Sequence, residues 1–415
     1  MNEIKLASVR QNLFITGTCI LFLGLVCSKA LISIGSVVII FAALPVLFRM
    51  SLPLAINYQA VGFILLFVAP LISGLWSRSM VDWVQVISNK IMLPALFCGV
   101  YYATRLSPKA FYGLGIFQVV LVVLASFYSI WPLLFDPEGI SQSYLQAKTL
   151  NVLLSDDHLH FSLYVFITLA LMTFNHQGVQ NHFGEKVFRV HIAMQIWLII
   201  YLHLLGAKTG LILLYGAFLY YWWSRYGRKA RKSLWLAGML AMGLIAYLSI
   251  KGIPMLQNRI YYTLYDFNQY MHGAYIDGLT DGARVLSWNA GMDVARSSPW
   301  IGVGFGDLNQ VFTDWHRQHS SHLQPYNWLQ PSNEWLMYLC GSGIAGMLML
   351  TFGLWLIYSR YPNHPSSLFN ILFFSQFLMM WYEVNLTNQT AIAIFAFFMG
   401  WVHHRDGESS INRFY

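Results

Sequence analysis

Residues 251–273, KGIPMLQNRIYYTLYDFNQYMHG, begin a polar segment that continues to residues 320–331, SSHLQPYNWLQP. No part of this segment is apolar over the length that a membrane helix requires. Its arginines and histidines are Arg259, Arg284, Arg296, Arg317, His272, His316, His319 and His322. Because strongly apolar sequence lies on both sides, the segment predicts one large loop at a single membrane face.

The composition is that of a membrane protein. The 415 residues are 57% hydrophobic and only 10% charged, with a mean hydropathy of +0.52, whereas soluble proteins carry about a quarter charged residues. Repeated apolar runs predict about twelve transmembrane helices. They lie near residues 11–27, 31–48, 57–75, 90–104, 110–131, 159–174, 188–205, 208–223, 234–251, 333–358, 368–383 and 388–403. We therefore predict an all-α polytopic integral membrane protein whose large loop carries short helices.

The predicted spans divide the chain into three parts. Residues 1–252 hold the first nine spans, residues 253–331 form the loop domain, and residues 332–415 hold the last three spans and a C-terminal tail. The first apolar run, which starts near Leu13, lacks a small-residue cleavage site and predicts a retained anchor. The four cysteines show no CxxC spacing, so they indicate neither a metal site nor a disulfide framework.

The basic residues predict the orientation. Cytoplasmic loops are enriched in lysine and arginine, and the short segment Arg225–Lys232 is strongly basic. With that segment in the cytoplasm, both termini are cytoplasmic and the large loop lies on the outer face. The net charge of +8 then reflects topology and contacts with anionic lipid rather than nucleic-acid binding.

Ionisable residues are almost absent from the centres of the spans and collect at their outer ends. A charge in mid-membrane often marks a transport route, so this absence argues against an ion-coupled carrier. Three spans begin at polar residues: after Asp157–His160, at Lys208 and at residues 332–334. Ser155 and Ser332 are the predicted helix caps. Because helix N-termini attract anions, these three ends predict an anion site.

Residues 281–296 of the loop have the spacing of an amphipathic helix. Arg284 lies on the side of this helix that carries small residues, and that side would admit a bulky ligand. The guanidinium group of Arg284 can grip a phosphate at two oxygens. The predicted apolar face is Val285, Trp288, Met292 and Ala295, and the small neighbours of Arg284 are Ser287 and Gly291.

Two other motifs of the loop give no evidence of a nucleotide site or a metal site. The run Gly302-Val-Gly-Phe-Gly306 does not follow the strand–turn–helix pattern of a nucleotide site and predicts a tight turn with close backbone packing. His316, His319 and His322 are spaced by three, but no carboxylate or cysteine completes a metal set at a standard spacing. They predict a solvated histidine face and no metal site.

These pieces form an ordered series of motifs. Asp157-His-Leu-His-Phe-Ser-Leu-Tyr164 and Ala207-Lys-Thr-Gly210 each open a span, and Arg284-Val-Leu-Ser-Trp288 lies in the loop. Ser298-Pro-Trp-Ile-Gly-Val-Gly-Phe-Gly-Asp307 and Pro331-Ser-Asn-Glu-Trp-Leu336 follow. From Asp157 onward the chain resembles the O-antigen ligase family, which also contains O-antigen polymerases and protein-targeting O-oligosaccharyltransferases.

The resemblance implies a glycosyltransferase with a fold similar to GT-C glycosyltransferases. Such an enzyme moves a glycan from undecaprenyl pyrophosphate to an acceptor hydroxyl on the periplasmic side of the bacterial inner membrane. The implied partners are the undecaprenyl-pyrophosphate-linked glycan donor, a lipid A–core or other glycan acceptor, and membrane lipid. No metal or other cofactor is expected.

Roles for individual residues are also implied by the resemblance. Arg284 and the residue at the Lys208 position, an arginine in the family, hold the pyrophosphate, together with Ser332 and Asn333. Lysine keeps the charge but loses the two-oxygen grip of arginine. The expected supporting residues are Asp157, His160 and Asp307.

The motifs leave several candidates for the base that activates the acceptor hydroxyl. Many ligases carry a histidine just before the asparagine that corresponds to Asn333, and Ser332 stands there in this chain. His322, Glu334 and His158 are the candidate catalytic replacements. Three functions stay open: a ligase acting on lipid A–core, a polymerase that joins repeat units, and a lipid-linked glycan transporter, which the charge-poor spans disfavour.

Overall fold

The computed structural model describes residues 2–47, 57–103, 106–154, 157–226, 232–273, 276–359 and 367–406. Regular structure within these ranges is helical throughout, without strands. The α-helices are α1 (Asn2–Cys27), α2 (Lys29–Leu47), α3 (Tyr58–Ile72), α4 (Met80–Lys90), α5 (Met92–Tyr101), α6 (Pro108–Ile130), α7 (Pro137–Ser143), α8 (His158–Leu205), α9 (Lys208–Tyr226), α10 (Lys232–Gly252), α11 (Pro254–Met271), α12 (Asp281–Ser297), α13 (Leu308–His319), α14 (Glu334–Ser359), α15 (Ser367–Tyr382) and α16 (Gln389–Asp406).

Seven helical segments of the described chain are long and apolar enough to cross a membrane. They are Ala7–Cys27, Tyr58–Leu75, Met80–Tyr101, Pro108–Leu134, His158–Leu205, Ser233–Gly252 and Glu334–Ser359. Shorter apolar helices, Lys29–Pro45, Leu368–Tyr382 and Gln389–Val402, accompany them. These findings confirm the prediction of an all-helical protein that crosses a membrane several times.

The two spans predicted at 159–174 and 188–205 both lie within α8, with no separate loop between them. Gly184 interrupts α8 with a φ of 81° and a ψ of 174°, which is not helical backbone. Gln195 reaches back to His176 at 2.7 Å and to Thr173 at 2.8 Å. Contacts between residues on opposite sides of Gly184 show that the two halves of α8 form an antiparallel helical hairpin.

The span predicted at 90–104 begins ten residues earlier, because α4 and α5 together form the apolar segment Met80–Tyr101. Its central residue Lys90 is fully buried, and Lys90 Nζ lies 3.6 Å from Oε1 of the equally buried Glu334. The ammonium also lies 5.3 Å from the ring centroid of Phe305 and 4.9 Å from that of Tyr338. The other carboxylate oxygen of Glu334 accepts a hydrogen bond from Leu386 N at 2.9 Å. A buried ion pair therefore joins α4 to the start of α14.

Helices α3 and α14 pack closely along small residues. A Cβ atom at Gly62 would lie 2.6 Å from the carbonyl oxygen of Gly353, so neither position has room for a side chain. Small residues allow membrane helices to approach in this way. The Ser342 hydroxyl donates to the Ala69 carbonyl at 3.0 Å. This contact holds α14 against α3 at Ser342, next to the non-helical backbone of Gly343.

The polar loop forms α11, α12 and α13 and is anchored to the bundle through its glycine-rich turn. Val303 N and Gly304 N donate to the carbonyls of Cys340 and Gly341 at 2.8 and 3.1 Å. Gly304 has a φ of 97°, and a Cβ there would lie 2.5 Å from Ser77 Oγ, so glycine is required. The prediction of a tight turn with close backbone packing is confirmed.

Two sequence expectations fall on residues that the structure does not describe. The predicted helix cap Ser155 lies outside the described residues, as do residues 227–231 of the basic segment on which the orientation rests.

Candidate functional site

Several helix ends meet the polar loop at one end of the bundle. The N-termini of α8, α9 and α16, the C-terminus of α15 and the helices α11 and α12 contribute to two cavities. The smaller cavity has a volume of about 320 Å³ and the larger about 690 Å³. Leu159 and Arg284 line both. The two cavities therefore adjoin at the Arg284 side chain.

The smaller cavity brings together the two cations predicted to hold pyrophosphate. Lys208 Nζ is hydrogen-bonded to Asp281 Oδ2. Arg284 Nη1 lies 3.6 Å from Asp281 Oδ1, and its Nη2 lies 3.1 Å from Glu383 Oε2. The side chains of Lys208 and Arg284 are 34% and 24% exposed. Both cations are thus accessible from the cavity and are held by carboxylates.

The start of α12 is fixed by a buried carboxylate on α11. Asp266 is fully buried and accepts hydrogen bonds from the backbone N–H groups of Thr280, Asp281 and Gly282 at 2.9, 2.7 and 2.9 Å. Three amide donors satisfy both oxygens of this carboxylate. The position of Asp281 and, one turn later, of Arg284 follows from this capping.

A third cation, Arg259, lines the same cavity from α11. It is 9% exposed, and its Nε and Nη1 reach no hydrogen-bond partner within the described residues. Its guanidinium carbon lies 5.6 Å from the ring centroid of Tyr262. Burial lowers the pKa of Arg259, although the nearby Asp281 carboxylate acts in the opposite direction. Arginine nonetheless stays charged in proteins, so a buried cation faces this cavity.

An aspartate–histidine pair at the start of α8 borders the larger cavity, which His160 lines. Asp157 caps the helix by accepting His160 N at 3.2 Å, and both carboxylate oxygens lie 2.8 Å from His160 Nδ1. Asn388 donates to the same carboxylate at 3.4 Å. Burial acts to raise the pKa of Asp157, but these hydrogen bonds outweigh it and the pKa lies below its ordinary value. The Asp157 carboxylate therefore accepts the Nδ1–H of His160 and fixes the orientation of the imidazole ring.

His160 is 4% exposed and lines the larger cavity. Its Nε2 is buried and has no hydrogen-bond partner among the described residues. Buried polar atoms are normally paired, so an unpaired ring nitrogen beside a cavity indicates a place where a substrate group binds.

Ser332 and Asn333 lie at the start of α14. The Ser332 amide donates to Ser287 Oγ at 3.1 Å, and its carbonyl accepts Trp288 Nε1 at 3.0 Å. The Asn333 side chain accepts Leu336 N at 2.9 Å. Asn333, not Ser332, is therefore the helix cap, and the cap prediction for Ser332 is wrong. Ser332 is buried and lines the larger cavity, where it offers a hydroxyl but no base.

The other predicted residues lie in different surroundings. His158 lines the smaller cavity. Glu334 is engaged by Lys90, and His322 is exposed in the segment after α13 and lines neither cavity. Asp307 accepts the backbone N–H groups of residues 78 and 79 at 2.9–3.0 Å and anchors the glycine-rich turn.

The predicted apolar face of α12 is wrong in part. The helix is present, but Trp288 and Met292 are 36% and 46% exposed. Its buried side is instead the side of small residues, because a Cβ at Gly291 would lie 2.5 Å from Leu336. That side of α12 therefore packs against α14 and does not face a ligand, and Trp288 lines the smaller cavity.

The solvated histidine face is also wrong for one member. His316 is fully buried, with Nδ1 2.8 Å from Ser320 Oγ and Nε2 3.0 Å from the Leu329 carbonyl. Burial lowers its pKa. His316 is therefore a structural residue of the loop, whereas His319 is exposed and stacks on Trp315 at 4.4 Å between ring centroids.

Sequence reasoning missed three residues of the site: Arg259, Asp281 and Glu383. One signal for Arg259 was present, since it occupies the buried face of α11 with Met255, Leu256 and Tyr262 at helical spacing. A charge in the middle of an apolar stripe is a functional candidate. Asp281 binds Lys208, and Glu383 binds Arg284, across long stretches of the chain, and no local pattern indicates these two pairs.

Comparison with known proteins agrees with this architecture. A family profile described as O-antigen ligase matches residues 193–351, which include Lys208, Arg259, Arg284 and the start of α14. No curated protein gives a significant match. The resemblance seen in the motifs is thereby confirmed for residues 193–351, the part of the chain that the O-antigen ligase profile matches, and a glycosyltransferase-like activity at a membrane is what this match implies.

Proposed function

We propose that the protein transfers a glycan from undecaprenyl pyrophosphate to an acceptor hydroxyl of lipid A–core, as an O-antigen ligase of the bacterial inner membrane. In this proposal residues 1–252 and 332–415 cross the membrane about twelve times in a GT-C-like arrangement. Residues 253–331 lie on the periplasmic face, and both termini are cytoplasmic. The observation that carries the proposal is the cation-lined cavity that adjoins a second, larger cavity at Arg284.

The smaller cavity suits the leaving group. As the sugar C1–O bond breaks, its electron pair passes to the pyrophosphate, whose negative charge increases. Lys208 and Arg284 line the cavity where this charge would develop, and fixed cations at such a position lower the barrier. The N-terminus of α9, which begins at Lys208, adds its partial positive charge.

The larger cavity suits the acceptor. Its hydroxyl would approach C1 from the side opposite the pyrophosphate, which gives inversion at C1. We assign the base to His160: Nε2 takes the hydroxyl proton, the oxygen bonds to C1, and Asp157 stabilises the imidazolium that forms. This assignment takes the place of the histidine that other ligases carry at the Ser332 position. The surroundings of His322 and Glu334 favour neither as the base.

Replacing His160 by glutamine is expected to lower the transfer rate by about a hundredfold, the usual contribution of a general base. Initial transfer rates measured with the purified native enzyme and the purified variant check this expectation.

His319→Gln is the matched control, since His319 is exposed and stacks on Trp315 outside both cavities. Glu383 is a carboxylate that also lines the larger cavity, so Glu383→Gln is the second comparison. A normal transfer rate in His160→Gln, together with a loss of about a hundredfold in Glu383→Gln, would assign the base to Glu383 instead.

The proposed activity is tested by deleting the gene and analysing the surface lipopolysaccharide and the carrier-linked glycans. Loss of all attached glycan, with long carrier-linked chains accumulating, supports the ligase. Attachment of single repeat units only would identify a polymerase. Purified protein that forms no new glycosidic bond, while vesicles containing it move carrier-linked glycan across the bilayer, would identify a transporter.

A further inference from the structure

Arg259 is a buried cation on the wall of the smaller cavity. It lies on the buried face of α11 together with Met255, Leu256 and Tyr262. Only 9% of the residue is exposed, and two of its guanidinium nitrogens reach no hydrogen-bond partner in the described part of the chain. A buried, unpaired charge is unfavourable unless another group completes the site. Its position on the cavity wall indicates that the missing group enters through the cavity.

The neighbouring carboxylates are occupied. Asp266 is on the same helix as Arg259, and both of its carboxylate oxygens accept hydrogen bonds from three backbone N–H groups at the start of α12. Asp281 binds Lys208 with one oxygen and lies 3.6 Å from Arg284 with the other. Among the described residues that line the smaller cavity, the lysine and arginine side chains are thus Lys208, Arg259 and Arg284, and the carboxylate is Asp281. An anion of more than one negative charge would balance this set.

We propose that Arg259 is a third phosphate-binding residue of the cavity and that Asp281 occupies the place of the ligand between turnovers. This inference rests on the proposed function, because it concerns the same pyrophosphate. A pyrophosphate presents two phosphate groups, whereas Lys208 contributes a single point charge where the family has an arginine fork. Arg259 supplies a second guanidinium fork from α11, in addition to the fork of Arg284 on α12. Two forks make the site selective for two phosphate groups over one.

The role of Asp281 follows from the same charges. When pyrophosphate enters, Lys208 and Arg284 exchange the Asp281 carboxylate for phosphate oxygens. When the pyrophosphate product leaves, Asp281 binds the two cations again and prevents their mutual repulsion. Removing the Asp281 charge should therefore strengthen ligand binding, and removing the Arg259 charge should weaken it.

The test compares undecaprenyl pyrophosphate with undecaprenyl monophosphate as ligands of the full-length protein in lipid nanodiscs. Arg259→Met is expected to weaken pyrophosphate binding by about tenfold or more, the loss of a charge-assisted hydrogen bond, with a much smaller change for the monophosphate. Arg259→Lys should give an intermediate loss. Asp281→Asn should tighten pyrophosphate binding severalfold. Arg296→Met is the control, because Arg296 is 73% exposed and pairs with Asp293.

Thermal unfolding of the ligand-free variants gives a second readout. Arg259→Met is expected to raise the melting temperature, because it removes an unpaired buried charge, while it weakens binding. A lower melting temperature with unchanged pyrophosphate selectivity in Arg259→Lys would show that Arg259 is structural and would overturn the inference. Weaker binding by Asp281→Asn would overturn the role given to Asp281. Failure of the native protein to bind pyrophosphate at all would instead contradict the proposed function.

Discussion

Arg284→Ala is expected to reduce glycan transfer by about a hundredfold to a thousandfold, the effect of removing one donor that stabilises transition-state charge. Arg284 lines both cavities, and it contacts Asp281 at 3.6 Å and Glu383 at 3.1 Å. Its loss removes a cation that would stabilise the leaving group. It also removes part of the wall between the smaller cavity and the larger cavity, where the acceptor would bind. Initial rates with purified enzyme and a carrier-linked glycan measure the effect.

Arg296→Ala on the same helix is the control for this experiment. Arg296 is 73% exposed, and its only charged contact among the described residues is Asp293 at 3.1 Å, so its removal should leave transfer unchanged. Arg284→Lys should retain part of the activity, because it keeps the charge and loses the planar fork. Normal transfer by an Arg284→Ala protein that inserts into membranes would exclude the proposed site.

Lys90→Met is expected to destabilise the folded protein by about 3–5 kcal/mol, the usual result of leaving one member of a buried ion pair without its partner. Glu334 is fully buried, and it would keep backbone amide donors such as Leu386 N but no cation. The same substitution also removes the ammonium from between the rings of Phe305 and Tyr338. Thermal unfolding in detergent micelles measures the loss.

The double variant Lys90→Met/Glu334→Leu should recover most of this stability, because an apolar pair of similar volume often replaces a buried ion pair without loss. Arg189→Ala is the exposed comparison: Arg189 pairs with Glu185 at 3.3 Å, with side chains 77% and 53% exposed, and such pairs contribute little. If the double variant is no more stable than Lys90→Met, the ion pair is not the source of the effect.

Hydropathy was sufficient to predict the helices, because apolar length is a local property of the sequence. The turn at residues 302–306 followed from its glycines. In both cases the physical requirement, membrane thickness or a positive φ, acts within a few residues. The shared role of Lys208 and Arg284 was instead implied by the family resemblance, and the two side chains do line one cavity.

The remaining features depend on tertiary contacts. The helical spacing predicted that Trp288 lies on the buried face of α12. In the structure Leu336 packs closely against Gly291, so the side of α12 that carries small residues is buried instead. Lys90 stood at the edge of an apolar run, and its partner Glu334 belongs to a helix far along the chain. Hydrophobic spacing cannot identify which helices adjoin, so it could not reveal this pair.

The shared Arg284 wall has a consequence for inhibitor chemistry. One molecule with a bisphosphonate head and a short sugar-like arm would reach from the smaller cavity into the larger through the space beside Leu159 and Arg284. Joining two weak binding groups in this way makes the second contact intramolecular, so the affinity of the joined compound can exceed that of either part by about a hundredfold or more. A bisubstrate compound of this kind would block loading of the carrier and of the recipient sugar at once.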